Sequence, residues 1–170
     1  LNRCVRRVDA KGTITTFAGI GGKSGFEGDG GPANKALMKE PNGISLDGKG
    51  KLYIADVGDQ RVRVVDLKTG IIDTFAGNGK AVSAGDGGPV KEATFAGPRA
   101  VVVSPKGDCL YVVERQGNSV RRIDFATSKI TRFAGTGKKD FTGDGGKAVD
   151  ATFDGPKEIA VDADRKSTRL

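Results

Sequence analysis

This sequence predicts an all-β fold made of four-stranded antiparallel β-propeller blades, and three observations support the prediction. Glycine accounts for 27 of the 170 residues, more than twice its usual share of ~7% and unfavourable for helices. The string Phe-Ala-Gly-x-Gly recurs with a constant period of 58 residues. Each repeat also contains four short apolar segments separated by turn residues, and a four-stranded repeat of roughly 40 to 50 residues is typical of a propeller blade.

The period is carried by several strings that recur in phase. Each Phe-Ala-Gly-x-Gly string is followed by Gly-Asp-Gly-Gly, then by a proline, then by an aspartate that ends an apolar segment. These markers begin at Phe17, Phe75 and Phe133, at Gly28, Gly85 and Gly143, at Pro41, Pro98 and Pro156, and at Asp9, Asp66 and Asp124. The spacing between Gly-Asp-Gly-Gly and the proline does not vary, so the loop is predicted to have the same structure in each repeat.

The second repeat predicts its four strands in order. They lie at residues 43–47, 51–56, 61–66 and 71–76, and the same set recurs about 57 residues later. Glycine-containing strings separate them and supply the positive φ that tight hairpins require. Because each blade of a propeller pairs internally, the strands at 61–66 and 119–124 are predicted to lie in different sheets.

The repeats amount to about three blades, fewer than the usual four to eight of a closed propeller. The blade parts are predicted at residues 1–19, 41–77, 98–135 and 156–163, joined by the Gly-Asp-Gly-Gly loops. The sequence is therefore interpreted as part of a propeller. The incomplete end blades are expected to expose apolar side chains and to cause self-association, at positions that include Val5, Val8, Ile159 and Val161.

Residues 164–170 break the repeat and are similar to one reading frame of a common sequencing adapter. They are predicted to be a tail outside the fold.

Composition leaves several function classes open and excludes others. The formal net charge is +7, which favours nucleic acid only where the charge gathers on one face. No apolar run approaches the roughly twenty residues of a membrane span, and no compartment signal is present, so localisation is left open. Cys4 and Cys109 fall on blades two steps apart and are expected to be unbonded.

The sequence offers little material for catalysis or for a cofactor. It has no histidine, and two isolated cysteines do not build the familiar nucleophile or zinc constellations. The segment 19–24 is similar to the end of a phosphate-binding loop, but Phe17 occupies the position of the first glycine. Asp29, Asp86 and Asp144 lie in loops with too few oxygen ligands for calcium, so they are predicted to form turns or helix caps. We therefore predict no cofactor and no metal.

Two further repeated positions are interpreted structurally. Tyr53 and Tyr111 share one column of the repeat and are predicted to be half-buried spacers.

The excess of basic residues falls on the third strands of the blades. It is predicted to form a solvated blade edge, with a diffuse phosphate contact as the alternative. These basic residues are Arg6, Arg7, Arg63, Arg121 and Arg122.

The blade strings resemble the NHL repeat family. They read Pro-Asn-Gly-Ile-Ser-Leu-Asp at 41–47, Lys-Leu-Tyr-Ile-Ala-Asp at 51–56 and Arg-Val-Arg-Val-Val-Asp at 61–66. The loop is similar to the elongated variety of bacterial and protist NHL proteins and of teneurin propellers, and the resemblance covers residues 2–163. It implies a six-bladed ring that binds proteins or, in some members, RNA. This sequence lacks the histidine of the eponymous motif, which leaves the fold intact and removes histidine-dependent activity.

The candidate partner-binding residues lie on one rim and around the expected central channel. Strand direction places the long loops on the same rim as the hairpins at 57–60 and 115–118. The candidates are Asn42, Asp59, Gln60, Arg61, Arg99, Arg115, Asn118, Lys157 and Glu158. The leading hypothesis is a non-catalytic scaffold for a protein or peptide partner. An RNA-binding propeller and a propeller hydrolase or lyase, with its site in blades outside this segment, remain the alternatives.

Overall fold

A computed structural model describes residues 2–162 and the strand at Thr168–Arg169, and it consists of consecutive antiparallel β-sheets. The strands are Val5–Val8 (β1), Ile14–Ala18 (β2), Gly31–Pro32 (β3), Pro41–Leu46 (β4), Lys51–Asp56 (β5), Arg61–Asp66 (β6), Ile71–Ala76 (β7), Pro98–Val103 (β8), Cys109–Glu114 (β9), Ser119–Asp124 (β10), Lys129–Ala134 (β11), Ala160–Val161 (β12) and Thr168–Arg169 (β13).

The strands form two complete blades flanked by two partial ones. The second blade is β4–β5–β6–β7 and the third is β8–β9–β10–β11, while β1–β2 and β12–β13 are hairpins of the first and fourth blades. The predicted fold class is confirmed, and β6 and β10 lie in separate sheets. The described residues do not close a ring. Apart from the described β13, the predicted tail at 164–170 lies outside the described residues.

Helical structure in residues 2–162 is confined to the three-residue 3-10 turns Ala33–Lys35, Val57–Asp59 and Ala148–Asp150. None of these has the length or the apolar character to traverse a bilayer as a helix. Cys4 and Cys109 are both free thiols.

The marker aspartates form the hairpin turns. The Asp66 carboxylate accepts hydrogen bonds from the backbone N–H groups of Lys68 and Thr69, each at 2.9 Å. Asp124 receives the N–H of Thr127 in the same way, at 2.9 Å. These bonds hold the pKa of both carboxyl groups below the usual range. The recurring Asp is therefore a turn former, which explains its place directly after the third strand of each blade.

The core lies between blades rather than within one sheet. Tyr53 of β5 packs in a single buried cluster with Leu110 and Val112 of β9. Phe95, from the loop that joins the second and third blades, is fully buried in the same cluster. Each blade therefore supplies one face of its neighbour's core, and the long loop fills the gap between them.

The long loops are predicted at the rim, but part of each loop lies along the outer edge of a sheet. Gly31–Pro32 pairs with Ile71 and Ile72 as a fifth strand on the outer edge of the second blade. The next loop repeats this arrangement, with Pro89 paired to Lys129 and the Gly87 N–H donating to the Ile130 carbonyl at 2.7 Å. The outermost strand of a blade has backbone N–H and C=O groups that no neighbouring strand binds. A glycine-rich loop can pair with these groups because it has few side chains to clash with the strand.

The face of the second blade that points toward the first is partly uncovered. Ile44 and Leu46 on β4 are 51% and 60% exposed, whereas Val101, which occupies the position of Ile44 on β8, is 5% exposed. The difference arises because the second blade covers β8, while only the outer pair of strands, β1 and β2, stands beside β4. A cavity of about 310 Å³ lies there, lined by residues that include Phe17, Leu46 and Leu67.

We expect the 170-residue chain to self-associate at micromolar concentration, because covering these side chains gains about 1.5 to 3 kcal/mol each. The double substitution Ile44→Glu and Leu46→Glu is expected to shift the chain toward monomer in sedimentation velocity without lowering its thermal stability, since both side chains are exposed. Substitution of Val101 by Glu serves as the control and should unfold the chain. A wild-type chain that sediments as a monomer at all concentrations would show that this face needs no cover.

Candidate functional site

The blades are joined by an ion pair between a buried arginine and the preceding loop. The Arg63 side chain on β6 is fully buried, and its guanidinium pairs with the Asp29 carboxylate. Asp29 also accepts a hydrogen bond of 2.6 Å from the Thr74 hydroxyl. The Arg63 guanidinium donates a further bond to the Leu37 carbonyl at 3.4 Å. A buried cation requires such partners, so this pair, which we call the interblade clasp, fixes the loop to the second blade.

A second clasp joins the next loop to the third blade. Arg121 is fully buried and lies 2.8 Å from the Asp86 carboxylate and 3.4 Å from that of Glu114. Glu114, also fully buried, accepts further bonds from the Ser83 and Ser119 hydroxyls at 2.7 and 2.9 Å. The pairing of a buried arginine with a loop aspartate thus occurs in both complete blades, but the neighbouring side chains that bind the pair differ.

The prediction that Asp29 forms a turn or a helix cap holds for the turn, which the Gly31 N–H closes by donating to the Gly28 carbonyl at 3.0 Å. The 3-10 turn Ala33–Lys35 has no side-chain cap, and the Asp29 carboxylate pairs with Arg63 instead.

The prediction of a solvated edge is wrong for two arginines. Arg63 and Arg121 are not solvated edge residues, because the loop pairs with the outer strand and covers them. The sequence did contain a signal for this pairing. Both the arginine and the aspartate recur one period later, as Arg121 and Asp86, and two groups that pair in each repeat are expected to recur together.

In both complete blades, a carboxylate at the end of the second strand binds the backbone just before the first strand of the same blade. Asp56 accepts the N–H groups of Lys39 and Glu40 at 2.9 and 2.7 Å. Glu114 occupies the same column and accepts the N–H of Ala96 at 2.8 Å. Burial raises the pKa of Asp56, and the two N–H donors offset part of that effect.

Two of the predicted site residues make bonds between segments of the scaffold. Gln60 and Asn118 both adopt left-handed φ, at 57° and 47°. The Gln60 side-chain carbonyl accepts the Gly97 N–H at 2.7 Å, and that of Asn118 accepts the Gly155 N–H at 2.9 Å. Their amide oxygens therefore hold the entry to the following blade.

The rim of the second blade carries a compact cluster of charged groups. Asp59 is 3% exposed and binds Lys39 at 3.0 Å and Arg61 at 2.5 Å. The Arg61 guanidinium lies 3.8 Å from the centre of the Phe26 ring, a cation–π contact. This stack presents a planar cation and an aromatic edge at the rim.

The rim of the third blade holds a cavity of about 400 Å³, lined by residues that include Arg115, Gln116 and Asn118. Arg115 is exposed, and its backbone N–H donates to the Gly97 carbonyl at 2.9 Å, while its guanidinium makes no hydrogen bond or ion pair within the described part of the chain. Lys139 and Asp154 form an exposed ion pair of 3.4 Å on the same cavity. Charged side chains of both signs are thus available there to a partner.

Of the predicted channel residues, Asn42 and Arg99 lie on β4 and β8, the first strands of their blades, and Lys157 and Glu158 precede β12. Asn42 is exposed, Arg99 is half-buried with its Nε atom buried and without a hydrogen-bond partner, and Lys157 and Glu158 are exposed. The inner strands approach closely, since a Cβ atom added to Gly43 would lie 2.6 Å from the Ala100 Cα. Within residues 2–162 no three His, Cys, Asp or Glu side chains lie close enough to hold a metal ion.

Comparison with known sequences supports the resemblance found in the repeats. The family model of the teneurin NHL domain matches residues 22–84. The chain is 29% identical over 160 residues to NHL repeat-containing protein 2 of Bos taurus, covering 89% of this chain and 22% of that protein. The chain therefore spans about a fifth of the length of this relative.

Solved structures show the same fold. A Bacteroides thetaiotaomicron protein of unknown function superposes with a TM-score of 0.71 and 20% identity, over 93% of this chain and 37% of the other. An auxiliary nutrient binding protein from the same organism gives a TM-score of 0.64 and 19% identity, over 98% of this chain and 40% of the other. At these identities the likeness concerns the fold alone.

We expect the clasps to contribute unequally to stability. Asp29→Ala removes the carboxylate that faces the buried Arg63 and should lower the free energy of unfolding by about 3 kcal/mol. Asp86→Ala should cost about half as much, at roughly 1.5 kcal/mol, because Arg121 retains Glu114. The matched control is Asp144→Ala in the third loop, where the described residues provide no ion-pair partner, and it should cost under about 0.5 kcal/mol. Equal losses for the three variants in urea denaturation would contradict the clasp.

Proposed function

Because this chain is built of NHL-type repeats folded as consecutive propeller blades, we propose that it is a non-catalytic interaction scaffold that binds a protein or peptide at its rim. NHL repeats support a scaffold role of this kind, and the rim site is our assignment. The observation that supports this proposal is a difference between the side chains of the clasps and a side chain at the rim. The arginines of the clasps are buried and paired, while the Arg115 side chain is exposed and makes no ion pair within the described residues.

The rim cluster is not part of the repeated scaffold. Phe26, Asp59 and Arg61 correspond one period later to a serine, a glycine and a second serine. The clasp positions keep Arg and Asp in both complete blades. Side chains that differ at equivalent rim positions, on a framework that does not, are suited to recognition of one partner surface.

The charge arrangement favours a protein over a nucleic acid. Two arginines of the third strands, Arg63 and Arg121, are buried and cannot contact phosphates. At the rim, Lys39 and Arg61 share the Asp59 carboxylate, and Lys139 pairs with Asp154. Mixed charge beside a cation–π stack fits a peptide that carries polar and aromatic groups, since arginine and aromatic residues are enriched at protein interfaces.

The test is selection of peptides from a displayed random library against the full chain. Arg115→Ala is expected to weaken binding of the selected peptides by about tenfold, the effect of losing one interface hot spot. Lys106→Ala is the matched control, because Lys106 is an exposed cation of the same blade at the opposite end of its strands.

Peptides that bind both variants equally would refute the rim assignment. Tighter binding of homopolymeric RNA, with a steep loss of affinity as salt rises, would favour the RNA-binding alternative instead.

A further inference from the structure

A second cavity lies between the two complete blades, at the end of the strands opposite the rim. Its volume is about 420 Å³, within the range of small-molecule sites. The second blade contributes Asp47, Lys49 and Lys51 from the β4–β5 hairpin, and the third blade contributes Phe125 and Ser128 from the β10–β11 hairpin. We call it the hairpin-end pocket. It is bounded by two complete blades and shares no residue with the rim.

Three aromatic rings form one wall of the pocket. The Tyr53 and Phe125 rings stack with centres 5.5 Å apart, and the Phe75 ring meets that of Tyr53 edge-on at 4.9 Å. Tyr53 is only 3% exposed, although it was predicted to be half-buried, because Phe125 of the next blade covers it. Tyr111 in the same column is half-buried as predicted. The wall is thus a rigid apolar surface built from both blades.

The Tyr53 hydroxyl makes no hydrogen bond within the described residues, and it is not among their buried unpaired polar atoms, so it reaches the open space of the pocket. An accessible phenol hydroxyl in a cavity wall is free to donate a hydrogen bond to a polar group of a ligand. Burial, together with the nearby Asp47 carboxylate, raises the pKa of Tyr53 to about 12. The hydroxyl therefore stays protonated at neutral pH and is available as a donor.

The pocket carries an excess of positive charge. Lys49 donates to the Gly107 carbonyl across the blades at 3.0 Å. Lys51 is exposed and lies opposite Asp66 on the neighbouring strand, where its charge helps to lower the pKa of the Asp66 carboxyl group. One Asp47 oxygen is already occupied by the N–H groups of Lys49 and Lys51, at 2.7 and 2.9 Å. The residues that line the pocket thus include two lysines and one aspartate.

The lysines are specific to this pocket. One period later, Lys49 and Lys51 are replaced by Gly107 and Cys109, while the tyrosine of the column is retained as Tyr111. The aromatic column therefore belongs to the repeat, whereas the positive charge does not. A charge that the scaffold does not require is the feature expected of a ligand site.

We propose that the hairpin-end pocket binds a small organic acid, a carboxylate carried on an aromatic or branched aliphatic body. The carboxylate accepts hydrogen bonds from the Lys51 ammonium and the Tyr53 hydroxyl, and the body packs against Phe75 and Phe125. This site is independent of the proposed rim function.

Equilibrium dialysis of the full chain against labelled phenylacetate tests the site, and self-association does not interfere because binding is counted per chain. We expect saturable binding of one molecule per chain. Lys51→Met and Tyr53→Phe should each weaken it by about tenfold, the scale of one hydrogen bond to a charged group. The matched control Tyr111→Phe should leave it unchanged, as should Arg115→Ala at the rim. Thermal melts establish that the variants are folded.

Two further probes separate the parts of the ligand. Phenylethanol keeps the ring without the carboxylate, and inorganic phosphate is an anion without an apolar body; each should bind at least about tenfold more weakly than phenylacetate. The proposal is overturned by an absence of saturable phenylacetate binding at millimolar concentration. Equal binding of phosphate, or equal affinity in folded Lys51→Met and Tyr53→Phe variants, overturns it as well.

Discussion

The structure depends on the ion pairs between two buried arginines and the aspartates of the long loops. Arg63 and Arg121 lie in the interior, where an unpaired cation is strongly unfavourable, and their carboxylate partners come from the loops that precede their own blades. To reach them, each loop must pass along the outer edge of the next sheet. Pairing of the Gly31–Pro32 strand with that edge satisfies backbone groups that are otherwise exposed. One ion pair thus sets the course of about twenty residues and joins each blade to the next.

This arrangement separates scaffold from surface. The side-chain carbonyls of Gln60 and Asn118 and the carboxylates of Asp56 and Glu114 all bind backbone N–H groups at the entry to a blade. These groups make structural hydrogen bonds, and their positions recur with the period of the repeat. Side chains outside these columns, such as Arg115, vary between blades without cost to the fold. Because only a few repeated positions stabilise the blades, the side chains at both ends of the strands can differ from blade to blade.

The two ends of the strands differ in chemistry for the same reason. At the rim, loops and hairpins bring cations and carboxylates together, and the charges largely compensate each other. At the opposite end, short hairpins leave the aromatic column of the core accessible between blades, with lysines beside it. An apolar wall with lysines beside it suits a small amphipathic ligand, whereas a rim with charges of both signs suits a larger mixed surface.

The sequence by itself determined the blade. The predicted strands at 51–56, 61–66 and 71–76 match β5, β6 and β7 at both ends, because alternating apolar residues and Asp or Gly turns act over a few neighbouring residues. Only the tertiary structure decided which distant groups meet. Asp29 finds Arg63 across 34 positions, and Tyr53 stacks on Phe125 of another blade. Such contacts depend on the angle and distance between sheets, which a local pattern does not encode. For that reason, the sequence pattern predicted neither the pairing of Asp29 with Arg63 nor the full burial of Arg63 and Tyr53.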